Sequence, residues 1–200
     1  MVVKGILERE FFSRDTLQVA KELLGARLMR MLDGKRLSGI IIETEAYQGE
    51  RDLACHARAG KTPRTQIMYG PPGHVYVYFT YGMHWMLNIV TEREDDPAAI
   101  LIRSLLPVEG IDFIAKQRVG RPRSEWTNGP AKLCQAFNIT SAENGVDICQ
   151  RGGAIWIERN LTIPDSYVTN SPRVGLNNVP EPWKSIPWNF KIDNKVLSTG

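Results

Sequence analysis

The sequence is short of the residues that announce several common chemistries. Only three of its 200 residues are cysteine (Cys55, Cys134 and Cys149). An odd set without a CxxC pair favours neither a disulfide framework nor a zinc site and fits a reducing compartment. No apolar run approaches the roughly 20 residues of a membrane span, and the opening MVVKGILEREFF lacks a secretory signal's apolar core and cleavage site. GxGxxG, the P-loop, the GxSxG elbow and the H-x-E plus P-C-x-x-C pattern are all missing. Their absence removes the familiar routes to dinucleotide binding, serine hydrolysis and zinc-dependent deamination. No internal repeat or low-complexity linker divides the chain, so residues 1–200 are expected to form one domain. With 42% hydrophobic and 24% charged residues the composition is globular. The net charge of +3 permits an anionic partner without demanding one.

A second absence is local. From Thr65 to Thr91 there is no Asp, Glu, Lys or Arg, yet this stretch holds four of the six tyrosines (Tyr69, Tyr76, Tyr78, Tyr81) and two of the three histidines. Basic residues gather on either side of it. Arg51, Arg58, Lys61 and Arg64 face one acid between 51 and 64, and Lys116, Arg118, Arg121, Arg123 and Lys132 face one between 113 and 132. An apolar aromatic tip amid positive charge suits a protein that enters a nucleic-acid stack while gripping phosphates. Arg64 and Lys132, one from each cluster, are the candidate contacts to a DNA backbone.

Patterning predicts a mixed α+β domain. A helix is expected over 14–24, where Leu17, Ala20, Leu23 and Leu24 share a face and Gly25 terminates. Asp33-Gly34 between two apolar runs signals a hairpin. HVYVYFTY (74–81) alternates as a strand, Gly82 allows a turn, and 83–90 returns as its partner. Further strands are expected at 98–105, 154–158 and 190–196, and helices at 111–118 and 130–137. The expected architecture is a curved, largely antiparallel sheet with surrounding helices and a protruding β-hairpin.

Several residues could carry chemistry. Strand alternation puts Glu43, Glu45 and Tyr47 on one face at the end of an apolar strand. Such carboxylates form a solvated edge or, in an apolar setting, supply a general base acting on water. Two Glu residues at i and i+2 are also the minimal signature of a glycosidase pair, a weak signal. Arg103, among Ile100, Leu101, Ile102 and Leu105, either faces solvent or must be paired, with Glu45 as a candidate partner. Asn88, inside MLNIV, needs hydrogen-bond partners or a ligand edge. His56 follows Cys55 with no third ligand at metal spacing, so no metal is expected. The residues alone leave three readings open: a DNA glycosylase, a non-catalytic stacking platform for nucleic acid, and a small-molecule N-ribosyl hydrolase. The two basic clusters count against the last.

ETEAY (43–47), His56, TPRTQIMYGPPGHVYVYFTYGMHWMLN (62–88), LIRSLLPVEG (101–110), NGPAKLCQAFNI (128–139) and RVG (173–175), with the opening REFFSRDTLQVAKELLGARLMR, resemble the alkyladenine (3-methyladenine) DNA glycosylase family over essentially the whole chain. The resemblance implies a monofunctional enzyme of base excision repair, which flips an alkylated or deaminated purine out of duplex DNA and hydrolyses its N-glycosidic bond. It makes Glu45 the base that activates water and Arg103 the residue that helps hold that water. It assigns Tyr47, His56 and Tyr78 to the flipped base and Asn88 to the pocket floor, against a guanine 2-amino group, with Leu101 on the same wall. Tyr81 becomes the intercalating residue with Met83 beside it. No metal and no organic cofactor is implied. It further implies double-stranded DNA and not a membrane as partner, a monomeric chain, and a location in the cytoplasm with the nucleoid, or in a nucleus in a eukaryote. Relative to that pattern the segment after His56 is slightly shorter and the acidic loop EREDDP is longer, which bears on the phosphate contacts and lesion preference rather than on the reaction.

Overall fold

The computed structural model describes residues 5–150 and 152–193. In chain order its elements are α1 (Arg9–Phe12), α2 (Thr16–Glu22), β1 (Arg27–Leu32), β2 (Lys35–Gln48), β3 (Val75–Thr80), β4 (His84–Thr91), β5 (Ala98–Glu109), α3 (Ile111–Gln117), α4 (Pro130–Ala136), β6 (Ile155–Glu158), β7 (Val168–Ser171) and β8 (Asn189–Ile192). The strands form one antiparallel sheet in the order β3-β4-β5-β2-β1-β6, with β8 paired to both β2 and β7. Strand β2 is the organising element. Along one edge it pairs with β5, while its other edge passes from β1 over Lys35–Ile40 to β8 over Glu43–Glu45.

Alternation gives the central strands two unlike faces. Val75, Val77, Leu87, Ile89, Ile100 and Ile102 are buried on one face in the main core, together with Val19 and Ala20 of α2 and Leu133 and Ala136 of α4. Each of the valine, leucine and isoleucine side chains contributes about 1.5–3 kcal/mol of burial free energy. The Thr44 hydroxyl fastens β2 to α2 by donating to the Ala20 carbonyl at 2.8 Å. The opposite face carries Tyr76, Tyr78, Asn88 and Leu101. Behind it lies a second, smaller cluster of Cys55, Ala57, Met68, Tyr76, Val90 and Ala99.

The mixed fold and antiparallel sheet match the sequence-based expectation, with adjusted bounds. Asp15 caps α2 by accepting from the Gln18 backbone N–H at 2.9 Å, so helix starts at Thr16, and Leu23-Leu24 form a turn closed by Gly25 at φ 86°. Strand β5 runs on past Leu105 to Glu109, tolerating Pro107 at an irregularity opposite Gly39. The expected strand 190–196 is seen as Asn189–Ile192, and residues 194–196 lie outside the described residues. Four-residue α1 and exposed β7 were not foreseen; both are too short or too polar to leave a periodic signal. The surrounding helices are few, none longer than seven residues among those described. No helix among the described residues is long and apolar enough to cross a membrane.

Candidate active site

A single row of paired residues crosses the polar face. Tyr76 of β3 pairs with Asn88 of β4, Asn88 with Leu101 of β5, Leu101 with Glu45 of β2, and Glu45 with Asn189 of β8. A row through five strands thereby sets three of the expected site residues, Asn88, Leu101 and Glu45, side by side. Above the row lies a cavity of about 360 Å³, within the range of small-molecule sites. Tyr47, His56, Tyr78, Tyr81, Asn88, Leu101 and Arg103 all line it, joined by Tyr76, Met86 and Val174. A larger hollow of about 500 Å³ between Leu7, Phe11 and Arg159 holds none of the expected residues.

Glu45 sits beneath the cavity wall with no solvent exposure. Its Oε1 accepts from the Val174 backbone N–H at 2.7 Å and from Asn189 Nδ2 at 3.1 Å. Its Oε2 accepts from the Tyr47 hydroxyl at 2.9 Å and from Arg103 Nη1 at 3.2 Å. Arg103 therefore pairs rather than facing solvent. It is the residue skipped between Ser104 opposite Glu43 and Ile102 opposite Thr44, so a bulge in β5 turns it toward β2. Its Nε donates to Glu43 Oε1 at 2.9 Å. Burial alone would weaken the charge on this guanidinium, but Glu45 and Glu43 outweigh it and raise the pKa. Burial, reinforced by Glu45, likewise pushes the Tyr47 phenol well above its ordinary range, which keeps it a donor.

The base-recognition candidates form a connected cluster. His56, at the start of a short 3₁₀ turn, meets the Tyr78 ring edge-on with centroids 4.5 Å apart, and its Nδ1 lies 2.9 Å from the Tyr76 hydroxyl. Burial lowers its pKa to about 4, with Arg64 and then Arg58 adding to the effect. Asn88 is 3% exposed and spends both amide protons on backbone carbonyls, Tyr76 at 3.1 Å and Met86 at 3.4 Å. That leaves its side-chain oxygen as the group a ligand would meet. Cys55 lies behind this cluster, its thiol pushed up to about 12 by burial and so a poor nucleophile.

Tyr81 and Gly82 turn the β3–β4 hairpin with φ of 51° and 66°, closed by the Met83 N–H donating to the Thr80 carbonyl at 3.2 Å. Positive φ at both Tyr81 and Gly82 suits the twist of the strands flanking this three-residue loop, 81–83 between paired Thr80 and His84, but for tyrosine it is strained. Tyr81 is 82% exposed and Met83 67%. Lys132 lies in a groove beside Met83 with Arg118 and Arg121, bonded to Asn128 at 2.8 Å and Glu125 at 3.3 Å. Arg64 instead reaches a residue of the cavity wall, its Cζ 5.1 Å from the Tyr78 ring centre.

Sequence reasoning missed four contributors. Glu43 was noted as a carboxylate but not as the residue that aims Arg103. Asn189 and Val174 are Glu45 donors 144 and 129 residues away in sequence, and no local pattern reveals them. Arg173 was quoted only as part of a motif. Its guanidinium is fully buried against Asp52 and packed between Tyr47 and Trp188, with ring centres 4.7 and 5.0 Å away.

The family model described as methylpurine-DNA glycosylase matches residues 10–196 of this chain. Among curated relatives, a protein of Methanocella arvoryzae is 44% identical over 190 residues, covering 94% of this chain and 93% of its own. One of Carboxydothermus hydrogenoformans is 43% identical over 194 residues, covering 96% and 98%, and one of Alkaliphilus oremlandii is 42% identical over 206 residues, again covering 96% and 98%. All three carry the name "putative 3-methyladenine DNA glycosylase".

Proposed function

The chain belongs to the methylpurine-DNA glycosylase family and is a DNA-3-methyladenine glycosylase, and from that premise we propose that it flips a damaged purine into the cavity over β2–β5 and hydrolyses its glycosidic bond with a water activated by Glu45. The observation that carries this reading is the convergence on Glu45: a buried carboxylate reached by Tyr47, Arg103 and Val174, all three of which line the cavity.

A water entering from the cavity reaches Glu45 by replacing one of its four donors. The Arg103 contact is the longest at 3.2 Å, and Arg103 keeps Glu43 when it yields. The water then lies between a carboxylate that takes its proton and a guanidinium that orients it. Departure of the purine leaves a positively charged sugar, and the Glu43–Glu45 pair supplies negative charge where that charge develops. Tyr47 and Tyr78 stack the base, His56 and Asn88 meet its edge, and Leu101 closes the wall. Outside the cavity, Tyr81 fills the gap left in the stack, with Met83 beside it. Extrusion costs a few kcal/mol, which a wedge partly offsets. Lys132, in the groove beside Met83, contacts the backbone of the duplex, while Arg64 lies over Tyr78 of the cavity wall. The chain acts as one domain and as a monomer, with neither a metal nor an organic cofactor in the chemistry proposed.

The test is incubation with duplex DNA carrying a single 3-methyladenine or hypoxanthine. The expected products are free base and an abasic site; release of no damaged purine from any duplex overturns the reading. Single strands bound more tightly than duplex, without regard to lesion, would favour a stacking platform instead.

A further inference from the structure

We propose that Arg64 tunes which damaged purines the cavity accepts by their charge, lowering excision of positively charged purines relative to neutral ones from what the cavity would give without it. The inference rests on the glycosylase reading above and adds a specificity-determining residue to it. A purine methylated on a ring nitrogen in DNA is a cation. One that has lost its exocyclic amine, or carries a fused etheno ring, is neutral.

Arg64 touches two residues that line the cavity without lining it itself. Its guanidinium lies over the Tyr78 ring at 5.1 Å, and its Nη2 is 3.4 Å from His56 Nε2. A tyrosine face attracts a cation through its ring quadrupole. With a guanidinium already over Tyr78, a cationic base brought to the same ring meets a polarised ring and a like charge nearby. A neutral base loses nothing.

Three nearby cations have carboxylate partners, whereas Arg58 donates to the Leu53 carbonyl. Lys61 pairs with Asp95 at 3.6 Å, Arg103 with Glu43 and Glu45, and Arg173, which lies over Tyr47 in the same way, with Asp52. Arg64 forms no such ion pair among the described residues. The two stacking rings are therefore unequal: Tyr47 is backed by a neutralised arginine and Tyr78 by an unneutralised one.

His56 cannot offset this charge. A guanidinium has only donors, so Nε2 must accept, which assigns the ring proton to Nδ1, facing the Tyr76 hydroxyl. The imidazole is neutral, consistent with its pKa of about 4, so it offers the base a dipole and no counter-charge.

The experiment compares wild type, Arg64→Gln and Arg64→Lys on one duplex sequence carrying either 7-methylguanine or hypoxanthine, with enzyme in excess, reading the ratio of the two excision rates. Because both rates come from one preparation, partial misfolding cancels. Arg64→Gln is expected to raise the cationic-to-neutral ratio about three- to tenfold, as expected for a like charge removed at this range in a partly screened site. Arg64→Lys is expected to keep the ratio near wild type. An unchanged or lowered ratio in Arg64→Gln, as when both rates fall together through a lost phosphate contact, overturns the proposal. Release of neither base by the wild type overturns the glycosylase reading, and this inference with it.

Discussion

Two guanidinium–carboxylate networks occupy one strand and the loop after it, and they are built to opposite plans. The Arg173–Asp52 pair has no side-chain exposure at either partner. Arg173 also donates to the Ala46 and Trp183 carbonyls, while Asp52 accepts from the Gln48 and Ala54 backbone N–H groups. Within this pair, Arg173 Nε alone lacks a hydrogen-bond partner among the described residues. The Arg103–Glu43–Glu45 network, by contrast, borders the cavity, with Arg103 and Glu43 still 13% and 16% exposed. A sealed pair fixes geometry; an open one can trade a partner for a water. In the mechanism proposed above, the first holds Tyr47 and Val174 in place and the second reacts.

The comparison is broken or sharpened most strongly at Glu45. Glu45→Gln is expected to slow base release by about 10²–10⁴-fold, the range of a lost general base, with duplex binding nearly unchanged. Single-turnover excision and a binding titration measure the two separately. Next comes Asp52→Asn, which leaves Arg173 buried without its counter-charge and should cost about 3–5 kcal/mol in urea or thermal unfolding. If Glu45→Gln lowered stability as much as Asp52→Asn, or if Asp52→Asn were the more severe lesion in rate per folded molecule, the division of labour would fall.

Smaller effects separate the cavity from the hairpin outside it. Tyr81→Ala should weaken binding to lesion-containing duplex roughly tenfold while sparing single strands and unfolding temperature, since the wedge offsets extrusion and touches little else. The smallest effect is a pH dependence at His56. Its folded pKa of about 4 lies below the ordinary 6.5. The stability it contributes is therefore present above pH 6.5 and lost as pH falls toward 4, because the unfolded chain takes up the proton first. His56→Gln should flatten the fall in unfolding temperature over that window; an equal fall in both proteins would refute the assignment.

The strands that frame the cavity were legible because their alternation is strong: HVYVYFTY and its return fix which tyrosines share a face, and Tyr81-Gly82-Met83 marks the tip. Glu45 was legible as a carboxylate ending an apolar strand. What alternation cannot give is which strand lies beside which, so the row from Tyr76 to Asn189 was invisible. Arg103 was read as either solvent-facing or paired because a bulge, which decides its direction, leaves no period of its own. The Asp52–Arg173 pair spans 121 residues and depends on two loops meeting under Tyr47, an arrangement set by tertiary packing alone.

The edge of β2 that passes from β1 to β8 has a consequence for biosynthesis. Its early half is satisfied by a neighbour made just before it, but Glu45 waits for Val174 and Asn189. A chain emerging from the ribosome can lay down the tyrosine hairpin and both glutamates long before those donors exist, since domains assemble as their segments appear. On the function proposed above, the nascent protein carries its wedge for DNA before its base-release centre is complete, and β8 is the part whose docking completes that centre.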